Sequence, residues 1–427
     1  MILHDYKTID EKVYQETLDN GLDVFVINKP GYNKKFVTYT TKYGSLDDHF
    51  TANGETYTVP DGIAHFLEHK MFEKEDGDVF NLFSKNGANA NAFTSFDRTS
   101  YLFSTTEHFY ENLKLLMNMV EQPYFTDDTV AREVGIINEE IKMYQDNPGY
   151  RLYFETLKAM YKKLPVRVDI AGTLESISEI TKEHLFLCHE TFYHPSNMVM
   201  IIVGDFEVEE VFDYIRSHQN ERQVKEQMSI ERILPDEPNE VNTPKKVLEL
   251  DVNETKIMLG FKHPQNLQDD EARLKRDISM MFALDMLFGE QSEYFYEMLN
   301  RHLIDDSFNF SHLEERQFCH VLMTTNTENP EDFKKRVLEI IEEAKHNDTI
   351  NETHLNNQKR EVIGDFLSSL NSPEYIANQY TKYHLDGYDL YQLPDIIEGI
   401  TIEDVKYHCF DMLNKDYLVE CLVKPYE

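Results

Sequence analysis

A chain of 427 residues, 41% of them hydrophobic, is long enough for two or three domains with real cores, which excludes a disordered chain or a small disulfide-stapled scaffold. Its formal charge of −36, from 78 acidic and 42 basic residues, excludes nucleic acid and anionic membrane as partners, because phosphate contacts need clustered Lys and Arg. The acids are dispersed rather than gathered into a tail, the pattern of an acidic, soluble surface.

Met1 to Asp10 lacks an apolar core of the kind an export signal carries, and the longest apolar run, Met198 to Val203, is too short to cross a bilayer. Cys188, Cys319, Cys409 and Cys421 form no C-x-x-C pair. Reduced thiols in a cytoplasmic protein with no membrane anchor are expected.

Early strands are predicted at Asp23–Asn28 and Val37–Tyr43. Then comes His65-Phe66-Leu67-Glu68-His69, two imidazoles four residues apart with a carboxylate between them. On a helix, i and i+4 side chains are neighbours, about 5 to 6 Å apart at Cβ, so both rings reach one ion. On a strand they would lie about 13 Å apart and could not. Asp61 is the expected N-cap, and Ile63, Phe66 and Leu67 fall opposite His65, Glu68 and His69. By itself the pentad also fits a solvated helix face.

Ala88–Ser95 and Thr99–Ser104 alternate about Phe96-Asp97-Arg98 and predict a hairpin. A catalytic zinc wants a third protein ligand and one open position. Val130, Val134, Ile137 and Ile141 repeat at helical spacing, and Glu133 and Glu140 project from that helix on nearly one side. Glu140 is the best candidate for the third ligand, although acid-rich helices are commonly just solvated. His189 and His194 mimic another zinc order, but a five-residue step turns the second about 140° away on a helix. Both are expected to be structural, as are His312, His320 and His408, which lack ligand-type spacing.

At an offset of 220, Ile177, Ile180, Thr181, Glu183, Val199 and Val203 meet Ile397, Ile400, Thr401, Glu403, Val419 and Val423. Two similar halves are implied: residues 1–216, a polar, Pro-bearing linker over 217–244, and 245–427. In each, strands precede long helical patterns and a strand closes the half, which predicts an α+β fold with helices packed on mostly antiparallel sheets. The second half has no His-x-x-Glu-His run, so one metal site per chain is expected, in 1–216.

The ordered set Gly62-Ile63-Ala64-His65-Phe66-Leu67-Glu68-His69-Lys70-Met71-Phe72, Gly87-Ala88-Asn89-Ala90-Asn91-Ala92-Phe93-Thr94, Thr99, Tyr101, Glu133 and Glu140 resembles the inverted-zincin metallopeptidases of the pitrilysin, insulin-degrading enzyme and mitochondrial processing peptidase family, M16. The likeness is greatest to half-length bacterial members, which pair two chains into one clamshell. It implies a zinc-dependent endopeptidase of peptides or unfolded segments, with His65, His69 and Glu140 as zinc ligands, Glu68 as general base and Glu133 as supporting acid. The family's paired glutamates stand seven apart, which selects Glu140 over Glu139. It also implies that Asn91 and Ala92 receive the peptide as an added strand.

The second half departs from the family. Glu293, in Ser292-Glu293-Tyr294-Phe295, stands where an Arg that grips the peptide is expected, and the stretch through Phe308 has no Tyr at the second gripping place. A heterodimer with a related subunit lacking the metal motif is therefore expected, a homodimer being possible. The alternative is a non-catalytic core or assembly subunit.

Overall fold

The computed structural model describes residues 1–75, 77–222, 229–264 and 267–426. They divide into two units, each a twisted sheet with helices packed on it, the α+β architecture anticipated from the repeat.

In the first unit, seven strands lie in the order Ile2–Tyr6, Glu11–Thr17, Asp23–Asn28, Met198–Gly204, Lys35–Thr41, Thr99–Thr105 and Asn89–Thr94. Met198–Gly204 is buried throughout, which is why its sequence is a continuous apolar run rather than an alternating one. It pairs parallel with Asp23–Asn28 and antiparallel with Lys35–Thr41. The second unit repeats the last five strands in the same order: Lys245–Leu250, Leu418–Pro425, Lys256–Lys262, Cys319–Asn326 and Asn309–Glu314. Its parallel pair, Lys245–Leu250 with Leu418–Pro425, stands where the first sheet has its own.

The units do not follow a cut at residues 217–244. The first comprises 1–141, 169–234 and 366–391, and the second 142–168, 235–365 and 392–427. Helix Pro148–Met160 packs on strands Lys256–Lys262 and Leu418–Pro425, and helix Pro373–Leu385 on Met198–Gly204 and Lys35–Thr41. Each sequence half thus gives a helix to the other half's sheet. Close fits explain the exchange: a Cβ on Gly260 would sit 2.6 Å from the Met160 sulfur, and the Thr38 and Thr381 hydroxyls are hydrogen-bonded at 2.8 Å. Of the expected linker, residues 217–220 finish helix Val208–Asn220, Ile230–Arg232 forms a strand beside His49–Ala52, and 223–228 lie outside the described residues.

Helix Ile63–Met71 carries the His-x-x-Glu-His run. Asp61 is not its N-cap; Gly62 is, at φ +87° and with no side-chain cap. A Cβ there would lie 2.5 Å from the Ala171 carbonyl oxygen, so this close approach demands glycine and displaces the expected cap by one residue. Phe66 and Leu67 are fully buried and fix the helix by its apolar face. Gly62→Ala is expected to lower unfolding stability by about 1 to 3 kcal/mol in urea titration, from the left-handed φ and the carbonyl contact together.

Candidate active site

His65 and His69 project from one side of their helix, ring centroids 4.5 Å apart and planes inclined by 59°. Helix Asp127–Gln145 lies across from them, with Val130, Ile137 and Ile141 buried in the same core as Phe66 and Leu67 and Val134 partly buried against it. That packing brings up Glu140. One of its oxygens is 3.7 Å from His65 Nε2 and the other 3.6 Å from His69 Nε2.

Both separations exceed a hydrogen bond, yet they are near the roughly 3.3 Å expected between a nitrogen and an oxygen on one tetrahedral zinc. The three ligand-type atoms all lie within 4.8 Å of one another. Glu133, two turns before Glu140, accepts from His69 Nδ1 at 3.0 Å. A proton held on Nδ1 leaves the Nε2 lone pair directed at the cluster, the carboxylate–histidine support common behind metal ligands. Two imidazoles and a carboxylate, one ring oriented by a second carboxylate, fit a zinc ion.

Glu68 is largely buried, and its carboxylate accepts from the Thr94 hydroxyl at 2.6 Å. Burial raises its carboxyl above the usual range, with the Thr94 bond partly opposing that shift. Burial, then the neighbouring His69, pushes His65 down to about 4. Burial also works against protonating His69, but the bond and charge of Glu133, with Glu68 and Glu140, outweigh it and raise His69. The three acids make the pocket strongly cation-seeking.

Asn91 and Ala92 lie on strand Asn89–Thr94, which among the described residues pairs only with Thr99–Thr105 and so forms the sheet's edge. The Ser95 N–H donates to the Arg98 carbonyl at 2.8 Å and sets the hairpin's phase. Since antiparallel ladders alternate, Asn91 and Phe93 bond inward, whereas Ala92 and Thr94 turn their backbone groups to the open edge. There the Ala92 N–H meets the Asn91 side-chain carbonyl at 2.9 Å. Beside the edge opens a cleft of about 530 Å³ whose walls include Glu68, His69, Phe72, Phe80 and Ile136, with Phe72 and Phe80 stacked at 4.1 Å.

Thr94 has no role assignable from spacing, because its contact with Glu68 crosses from strand to helix. Beyond its place in the run that resembles the family, its sequence signal is period two: it shares a strand face with Ala90 and Ala92. Buried His189 binds the Val120 carbonyl at 3.0 Å, and His194 binds Ser196 Oγ at 2.8 Å.

Comparison with known proteins agrees with this geometry. Residues 53–174 match the model of the insulinase family, peptidase family M16, and 179–362 match the M16 inactive domain. The chain is 43% identical to the zinc protease YmfH of Bacillus subtilis over 423 residues, covering 99% of this chain and 98% of that protein. It is 26% identical to the zinc protease PqqE of Helicobacter pylori over 385 residues, 86% and 82% of the two chains. The solved structure of an M16-like peptidase from Alicyclobacillus acidocaldarius superposes with a TM-score of 0.93 at 33% identity, over 97% of this chain and 99% of that one. Among the described residues no helix is long and apolar enough to cross a membrane. On the near full-length 43% match and the two family domains in order, this chain belongs to the M16 family of peptidases.

Proposed function

We propose that the chain is a zinc-dependent endopeptidase acting on peptides or unfolded segments, with His65, His69 and Glu140 holding the metal and Glu68 as general base. The observation that carries this reading is one carboxylate with its two oxygens 3.7 and 3.6 Å from two imidazole nitrogens of a single helical turn. Zinc, when bound there, supplies Lewis acidity that polarises a scissile carbonyl and brings the pKa of a water toward about 7. Glu68 takes the water's proton onto its carboxylate and passes it to the departing amine. Its raised carboxyl narrows the gap to that water, and the Thr94 hydroxyl holds the carboxylate in one orientation. Glu133 keeps the proton on His69 Nδ1.

The edge strand supports peptide binding by strand addition, in which main-chain bonds give affinity without strict sequence preference. A substrate carbonyl would take the place at the Ala92 N–H now filled by Asn91. The alternative of a non-catalytic assembly subunit is disfavoured because the ligands, the base and the supporting acid are all retained. The four buried, unpaired thiols suit a reducing compartment, and we assign the chain to the cytoplasm.

Glu293 opens helix Glu293–Asn300, and a carboxylate cannot donate to a substrate carbonyl. We assign the missing donors to a related subunit without the metal motif.

Glu68→Gln is expected to keep its zinc and lose at least about 10²-fold in peptide hydrolysis, whereas His65→Ala or His69→Ala loses the metal; zinc content and turnover, measured together, separate the two. Hydrolysis by Glu68→Gln at the wild-type rate would refute the role of this residue. Glu133→Gln should weaken zinc binding by about 10- to 100-fold in competition with a chelator, the cost of losing the support behind His69. Peptide cleavage by the purified chain should rise sharply when the related subunit is added; full activity of a homodimer alone would sink the heterodimer.

A further inference from the structure

The duplicated fold places a second set of donor atoms in the second unit, at the hairpin matching the one that carries Thr94. His312 and Glu314 are two apart on strand Asn309–Glu314 and share its face, and Glu314 pairs directly with Cys319 across the hairpin, as Thr94 does with Thr99. Helix Asp270–Phe288 packs over that strand as helix Ile63–Met71 packs over Asn89–Thr94. His312 Nε2 is 3.2 Å from Cys319 Sγ, Cys319 Sγ is 3.0 Å from Glu314 Oε2, and His312 Nε2 is 3.8 Å from Glu314 Oε2. The side chains of His312 and Glu314 are 3% exposed, and Cys319 is fully buried.

We propose that His312, Glu314 and Cys319 form a second metal site, structural rather than catalytic, of the kind that takes Zn²⁺. Thiolate, imidazole and carboxylate are all zinc ligands, and around one tetrahedral ion their donor atoms stand about 3.3 to 3.6 Å apart, within about half an ångström of those observed. His312 Nδ1 lies 2.8 Å from Asp277 Oδ1, which aims Nε2 at the cluster as Glu133 aims the second imidazole of the catalytic centre. Arg276 holds both Glu314 oxygens, Nε to Oε2 at 2.6 Å and Nη2 to Oε1 at 2.7 Å. The Oε2 lone pair facing Cys319 now accepts the thiol proton. The ion replaces that proton, which passes to solvent as the sulfur becomes a thiolate.

Charge supports the exchange. A divalent ion with the Cys319 thiolate, Glu314, Arg276 and the half-exposed Asp277 sums to zero, so the dication leaves no net charge among these groups. Met412 Sδ, 3.9 Å from Cys319 Sγ, closes the apolar side. The spacing His-x-Glu-x4-Cys is that of a strand and its hairpin partner, which a search for helical ligand spacing passes over.

The catalytic centre has no sulfur ligand, so the sites are spectroscopically distinct and the two readings fail separately. The full chain carrying His65→Ala and His69→Ala is titrated with Co²⁺ and followed in the near ultraviolet. One equivalent bound with a thiolate-to-cobalt charge-transfer band, lost on adding Cys319→Ser, is the expected result. Absence of the band, or its survival in Cys319→Ser, overturns the proposal. If Cys319→Ser does not fold, His312→Gln, which keeps the thiol, should weaken cobalt binding roughly tenfold or more; unchanged affinity overturns it equally.

Discussion

The candidate metal pocket depends on two helices being held at a fixed distance by their apolar sides. Glu140 meets both imidazoles only because Val130, Ile137 and Ile141 share a core with Phe66 and Leu67. Lys70, fully buried on the first helix, adds a polar tie: it pairs with Glu73 and reaches the Thr129 carbonyl of the second helix at 3.5 Å. Against this packing stands the mutual repulsion of three carboxylates, those of Glu68, Glu133 and Glu140. Like charges in a partly buried pocket repel more strongly than they would in water. A bound dication reverses the sign of that term, so metal binding and helix packing reinforce each other.

What could be seen in the sequence was what depends on local period. His65 and His69 are one turn apart, the apolar stripes repeat at 3.6, and the hairpin alternates at two, so helix, strand and the shared side of the two imidazoles were all legible. Glu140 was only a candidate until the family resemblance separated it from Glu139, because the choice rests on how two helices far apart in sequence meet. The cap at Asp61 failed for a similar reason: the Ala171 carbonyl, more than a hundred residues away, sets the backbone at Gly62. Helix Pro148–Met160 has an apolar face, but nothing in that face specifies which of two similar sheets it covers.

The two halves show how one frame diverges. Strand order, parallel pair and hairpin register recur, because main-chain bonding fixes them irrespective of side chain. The chemistry on the hairpin face does not. In the first unit a nine-residue helix ends early and leaves a cleft beside the edge strand, so Glu68 and His69 stand at the wall of an open site. In the second, a nineteen-residue helix covers the matching strand, and the side chains of Arg276, His312 and Glu314 are buried between them, with Asp277 at the margin.

Helix length therefore decides whether the polar face of the hairpin is open or covered. A metal centre that works on substrate must keep a coordination position and an approach path, which the short helix supplies by stopping at Met71 before the Phe72 and Phe80 wall. An equivalent polar cluster beneath a long helix has no such path, and each of its polar groups must be satisfied from within. Arg276 does this for Glu314, and Asp277 for His312. The same hairpin thus presents an open face in one unit and a covered face in the other, the difference being whether solvent can reach it.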